Sequence, residues 1–378
     1  MLLPTSATPV TDATAAPERR QAPPPSAEAG ERQAPTGRDP FLDNAKYLAI
    51  VLVAVGHAWE PLREGSRTVT ALYTLVYAFH MPVFAVIAGY FSRGFEATPR
   101  KLGGLLKRTV LPYVLFETAY TFFTRWSSED PDRPVTLLDP LYLTWFLAAL
   151  FIWRLTSPIW RTVRRPLPWA LTIAALATLS PSIGDDLDLQ RVAQFLPYFV
   201  LGLCLKPEHL RLLHRREARL LAAPVLACAL VVAYWAVPRM NYAWFFHNDS
   251  ATALGAPVWS GPVMTLATFG CSVTLVCAFL AWVPGGGRWF TTLGAGTLYA
   301  YLLHGFLAQA AEHWGLYRLP WLHQPAGVAT VTLLAAVVIT FLCAPAVQRP
   351  FRRVLERRMR RYPELTRGEP LPNAVRSP

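Results

Sequence analysis

The feature that most limits this chain is a train of apolar stretches that recurs from residue 45 to residue 347. Backbone N–H and C=O groups in a hydrocarbon layer must bond within their own segment, so a crossing helix needs ~20 mainly apolar residues. Ten stretches approach that length: Ala45 to Leu62, Val69 to Phe91, Leu105 to Trp126, Leu141 to Trp160, Leu167 to Pro181, Gln190 to Leu205, Leu220 to Val237, Pro262 to Val283, Trp289 to Ala310 and Gly327 to Val347. The fifth and sixth are the shortest. The expected fold is therefore all-α, a polytopic transmembrane helix bundle with about ten spans. A water-soluble domain is excluded on composition, because 53% of the residues are hydrophobic and only 16% charged.

The loops test the count. Cytoplasmic loops of membrane proteins carry an excess of Lys and Arg, so every second loop should be basic. The second loop holds Arg93, Arg100, Lys101, Lys107 and Arg108, the fourth Arg161, Arg164 and Arg165, the sixth Lys206, Arg211, Arg215, Arg216 and Arg219, and the short eighth Arg288. Loops of the other parity carry Glu129, Asp130 and Asp132, then Asp185, Asp186 and Asp188, then Asn248 and Asp249. This alternation predicts a multi-pass protein of the cell (plasma or inner) membrane with both termini cytoplasmic. It also accounts for the net charge of +12 without a nucleic-acid partner.

Residues 1–39 are rich in Pro, Ala, Ser and Thr and read as a disordered cytoplasmic tail, residues 40–350 as the transmembrane domain, and residues 351–378 as a basic cytoplasmic tail. In that last segment Arg352, Arg353, Arg357, Arg358, Arg360 and Arg361 read either as a clamp on anionic lipid headgroups or as a topology signal. Cys204, Cys228, Cys271, Cys277 and Cys343 all lie in apolar runs without the spacing of a metal site, so no metal is expected.

Titratable residues inside a span are costly and are candidates for function. His57, His80 and His304 fall in the first, second and ninth spans. At similar depth they are placed to surround one cavity, although a single membrane histidine is as often an interhelical hydrogen-bond partner. Lys46 precedes His57 by eleven residues, about 16 Å along a helix with a rotation of only about 20°, so both face one side. Lys46, with Asp43 and Asn44, stands at the cytoplasmic mouth, where it either meets an anionic ligand or snorkels to lipid phosphate. Pro82 cannot bond to the carbonyl of Ala78, which predicts a kink and a freed carbonyl able to orient a ring nitrogen of His80. Trp244, Phe245, Phe246, Trp259, Trp314 and Trp321 suit either sugar stacking or an interfacial belt.

These residues resemble the membrane acyltransferase 3 family, and within it the fucose 4-O-acetylase-like sugar acetyltransferases. The resemblance runs from about Asp39 to Arg352. It rests on Arg38-Asp39-Pro40-Phe41-Leu42-Asp43-Asn44-Ala45-Lys46 leading to Val55-Gly56-His57, on Phe79-His80-Met81-Pro82-Val83-Phe84 with Ala88-Gly89-Tyr90-Phe91, and on Lys107-Arg108 before Leu111-Pro112-Tyr113. Further matches are Trp145-Phe146-Leu147, Phe195-Leu196-Pro197-Tyr198-Phe199 and Leu298-Tyr299-Ala300-Tyr301-Leu302-Leu303-His304. The resemblance implies an O-acyltransferase that moves an acyl group, usually acetyl, from cytoplasmic acyl-CoA to a hydroxyl of a sugar, glycan or other small acceptor. It places the catalytic role on His57, as base or as transient acyl carrier; from the residues themselves His80 is a further candidate, and Glu60, three residues on, either orients the ring or sits at the outer interface. Lys46, Arg93, Lys107 and Arg108 would hold the phosphates of the donor, and Trp145, Tyr301 and His304 would face the acceptor. The chain departs from the family in having Lys46 where many members have arginine, and Val110 where some complete an Arg-x-x-Arg pair, so the phosphate contact differs in kind. The competing reading is a proton-coupled transporter or exporter of a polar small molecule, with the three histidines as its relay.

Overall fold

The computed structural model describes residues 39–127, 131–181, 183 and 186–360, with side chains through Phe351 and that of Arg353. The expected tails at 1–38 and 361–378, the acidic Glu129, Asp130 and Asp185, and the side chains of most C-terminal arginines lie outside the described residues. The described chain is all-helical, and its packed unit begins at Asp39.

Its helices are α1 (Pro40–Trp59), α2 (Arg67–Tyr77), α3 (His80–Ser92), α4 (Pro99–Leu105), α5 (Leu111–Trp126), α6 (Trp145–Thr162), α7 (Pro166–Leu179), α8 (Leu189–Cys204), α9 (Pro207–Leu213), α10 (Arg216–Ala236), α11 (Ser260–Trp282), α12 (Thr297–His313), α13 (Pro325–Leu342) and α14 (Pro345–Arg360). Each of the ten apolar stretches overlaps one of these helices or two consecutive ones. Five segments are long and apolar enough to cross a membrane by length and composition: Pro40–Leu62, Arg67–Ser92, Arg216–Ala236, Ser260–Trp282 and Pro325–Leu342. The chain is a membrane protein; the count of ten rests on the sequence argument.

Local chemistry explains where the helices start and break. Asp39 caps α1, its carboxylate accepting from the Phe41 N–H at 3.0 Å, and Pro40 follows at the first helical position, where its missing N–H is harmless. The second stretch does break, but at Ala78–Phe79, where Phe79 leaves the helical region (φ −138°, ψ −18°) and α3 starts afresh. Pro82 then sits in the first turn of α3, where N–H groups lack partners anyway. The carbonyl that meets the imidazole of His80 is that of Val76, two residues before the expected Ala78. The ninth stretch starts later than its hydropathy suggests, because Thr291–Ala295 forms a tight turn against α1 before α12 begins.

The first two long segments are the interior of the bundle, with 67% and 78% of their apolar windows buried, against 11% for Arg216–Ala236 and 22% for Pro325–Leu342. On those outer helices Val231, Trp235, Leu333, Val337 and Phe341 stand exposed, as suits contact with lipid. Helices α3 and α8 cross in close backbone contact. A Cβ at Gly89 would lie 2.0 Å from the Phe199 carbonyl oxygen, and one at Gly202 would lie 2.1 Å from that of Val86. Only glycine at both positions lets the two backbones meet.

Candidate functional site

Two cavities lie end to end along α1. The first, about 440 Å³, is lined near the start of α1 by Lys46, with Arg108, Thr109 and Arg154, and is otherwise walled by apolar side chains such as Phe84, Phe91 and Leu150. The second, about 170 Å³, surrounds His57 near the end of α1 and is lined by His80, Glu60, Arg191 and a set of rings from Tyr73, Tyr77, Tyr142, Trp145, Phe195, Phe245 and Phe246. Met81 and Tyr301 line both, so the cationic chamber and the aromatic chamber share a wall. Four helices pass both chambers. Helices α1 and α12 run from the cationic end toward the aromatic end, and α3 and α6 run the other way.

Within the aromatic chamber, Nδ1 of His57 lies 3.0 Å from the Tyr142 hydroxyl, 3.4 Å from the Tyr77 hydroxyl and 3.4 Å from Oε2 of Glu60. Glu60 is itself held: its Oε1 accepts from the Tyr73 hydroxyl at 3.5 Å and lies 3.7 Å from the Arg63 guanidinium, which stacks over Tyr73. A carboxylate can only accept, so its position favours a proton on Nδ1 and leaves Nε2 of His57 as the basic nitrogen. The same logic fixes His80. Its Nδ1 lies 2.9 Å from the Val76 carbonyl and must donate, which leaves Nε2 of the neutral ring as an acceptor.

His304 does not line the aromatic chamber. Its ring lies 5.5 Å from that of His57, its Nδ1 bonds the Ala300 carbonyl at 3.2 Å, and its buried Nε2 has no partner among the described residues. Trp145 and Tyr301 both line the chamber; Arg191 lies over the Trp145 ring at 4.7 Å, and the Tyr301 hydroxyl donates to the Leu143 carbonyl. Of the outer aromatics, Phe245 and Phe246 enter the chamber, whereas Trp259, Trp314 and Trp321 are exposed.

In the cationic chamber Lys46 pairs with Asp43 at 2.7 Å. Asn44 is turned elsewhere, its amide donating to the carbonyls of Pro284 and Gly286 and accepting from Thr291, which ties α1 to that loop. Residues Leu106–Val110 form a widened π-type turn that brings Arg108 and Thr109, but not Lys107, to the cavity. Arg93 also stays outside. Its guanidinium bonds the carbonyls of Tyr90 and Leu205 and stacks on the Tyr90 ring, which makes it a splint between α3 and α8. Arg154, on α6, is the cation the sequence reading passed over. Its guanidinium makes no hydrogen bond or ion pair among the described residues, and it shares the chamber with Arg108. Two guanidiniums facing one space repel unless an anion lies between them. Among the described residues there is no cluster of His, Cys, Asp and Glu able to hold a metal ion.

A partly buried imidazole backed by a carboxylate, next to a chamber of cations, suits transfer of a group from an anionic carrier. The family of proteins with an acyltransferase domain, acyltransferase 3, matches residues 39–344. The chain belongs to that family and is an acyltransferase enzyme. Nodulation protein NolL of Mesorhizobium japonicum is 24% identical over 336 residues, which cover 82% of this chain and 89% of that protein. No solved structure matches the chain. Family membership displaces the exporter reading.

Proposed function

We propose that this acyltransferase takes an acyl group, acetyl in the first instance, from acyl-CoA on the cytoplasmic side and passes it to a hydroxyl of a sugar, glycan or other small acceptor on the far side. The supporting observation is the pair of chambers, one cationic and one built of imidazoles and rings, that meet at Met81 and Tyr301. Lys46, Arg108 and Arg154, which line the larger chamber, would hold the phosphates of a donor whose charge keeps its nucleotide out of the bilayer. Its thioester would reach past Met81. Trp145, Phe246 and Tyr77 supply faces on which a sugar ring stacks, the contact expected of the sugar-acetylating branch.

In the step proposed, Nε2 of His57 takes the proton of the acceptor hydroxyl as its oxygen attacks the thioester carbonyl. The C–S bond breaks, an ester C–O bond forms, and the departing thiolate takes up the proton from the imidazolium. Glu60 holds the ring and stabilises its cationic form, and Nε2 of His80 is free to accept from the acceptor. The orientation follows the charge alternation of the loops, with both termini in the cytoplasm and the bundle in the cell membrane. The experiment is acyl-CoA turnover by the purified protein in liposomes, combined with mass spectrometry of glycans and small metabolites from cells with and without it. Free CoA released only when acceptor is present, with an acylated product, is the expected result; CoA release that ignores acceptor, or flux of an unmodified solute, would remove the reading.

A further inference from the structure

Glu117 on α5 lines neither chamber. It is 1% exposed, in a stretch read as spanning the membrane, where a carboxyl group is expensive to keep. Its Oε2 accepts from the backbone N–H of Leu141 at 2.9 Å and from the hydroxyl of Thr144, while its Oε1 is buried without a partner among the described residues. Both donors belong to the turn that leads into α6, and they stand on either side of Tyr142. Tyr142 is held at φ 55°, a left-handed backbone that a tyrosine rarely adopts and that must be imposed by its surroundings.

The opposite wall of that turn is fixed as well. The Leu143 carbonyl accepts from the Tyr301 hydroxyl at 2.8 Å, and a Cβ at Gly305 would lie 2.7 Å from Leu143 and 2.9 Å from the Tyr142 ring. The turn is thus clamped between α5 and α12, and what it delivers is the Tyr142 hydroxyl, 3.0 Å from Nδ1 of His57. That hydroxyl makes the shortest of the three contacts to this nitrogen.

We infer that Glu117 is a positioning residue for acyl transfer: by tying down Leu141 and Thr144 it sets Tyr142 against the imidazole of His57. The inference rests on the reading of His57 as the base. It predicts an effect on turnover and not on donor binding, since Glu117 lies outside the cationic chamber. It also predicts that Glu117 and Tyr142 act as one unit.

The test is a double-mutant cycle on the full-length protein in liposomes. Glu117→Ala and Tyr142→Phe should each lower kcat roughly 10-fold to 100-fold, the cost of losing an outer partner of an active imidazole, with the donor KM unchanged. The double variant should be no slower than the slower single one. Glu117→Gln, which keeps an acceptor oxygen for both donors, should recover kcat to within about 3-fold of the starting protein. Losses that multiply in the double variant, or a Gln variant as slow as Ala, would overturn the inference. Should Glu117→Ala fail to accumulate in the membrane, Thr144→Val removes one donor at nearly constant volume and takes its place in the cycle with the same outcomes. His57→Ala separates the two claims: turnover in that variant defeats the reading of the base, whereas a dead His57→Ala beside an additive cycle defeats only the role of Glu117.

Discussion

The two chambers share four helices, α1, α3, α6 and α12, yet differ in almost every chemical respect. The cationic one is the larger, about 440 Å³, and its charges come from Lys46, Arg108 and Arg154 on three separate segments with apolar surface between them. The aromatic one is about 170 Å³, and three of its polar groups, from Tyr142, Tyr77 and Glu60, converge on a single ring, that of His57. The first is arranged to grip a large anion loosely at several points; the second is arranged to fix one nitrogen. On the proposed function, binding and chemistry fall at opposite ends of α1, and substitutions at the two ends should fail in different ways.

The largest effect belongs to the aromatic end. His57→Ala should lower kcat by about 1000-fold while folding and membrane insertion stay intact, measured as CoA release beside thermal unfolding in detergent. Retained turnover would erase the distinction between the chambers. Next, Met81→Trp fills the shared wall and should lower kcat about 100-fold by keeping thioester and acceptor apart, without weakening donor binding measured by calorimetry. Glu60→Gln should lower kcat about 10-fold, since the ring loses the charge that stabilises its protonated form but keeps a neighbour of similar shape. At the cationic end, Arg154→Ala should raise the donor KM about 10-fold with kcat nearly constant, an effect that shrinks as salt is added. The smallest effect is expected from Arg93→Ala. It should leave the donor KM alone and lower the unfolding temperature by roughly 2–4 °C, because Arg93 joins α3 to α8 and not to the cavity.

The sequence carried the parts of this site that are local. Hydropathy located the helices because burial in lipid acts on each segment separately, and Glu60 was legible beside His57 because three residues along a helix place both on one face. Lys46 and His57 likewise share a face by helical phase. Tyr142 was out of reach: it comes to His57 from 85 residues away, in a left-handed conformation that no pattern announces. Arg154 and Glu117 are a different case. Both are charged residues inside expected spans, and the rule that drew attention to the histidines applies to them equally. Arg108 and Lys107 could not be told apart because the π-type turn alters the helical phase at that point. The bend near Pro82 was visible, but the proline marks the first turn of a new helix and not the point of fracture.

The crowd of rings about His57 bears on a competition that every such enzyme faces, between an alcohol and water for the same activated carbonyl. Tyr73, Tyr77, Trp145, Phe195 and Phe246 offer loosely held solvent few hydrogen-bonding partners, whereas, on the proposed function, an acceptor that stacks on them would bring its own hydroxyl to the imidazole. On that proposal a chamber of such make-up would favour a transferase over a hydrolase, the activated acyl group being kept until its intended recipient arrives.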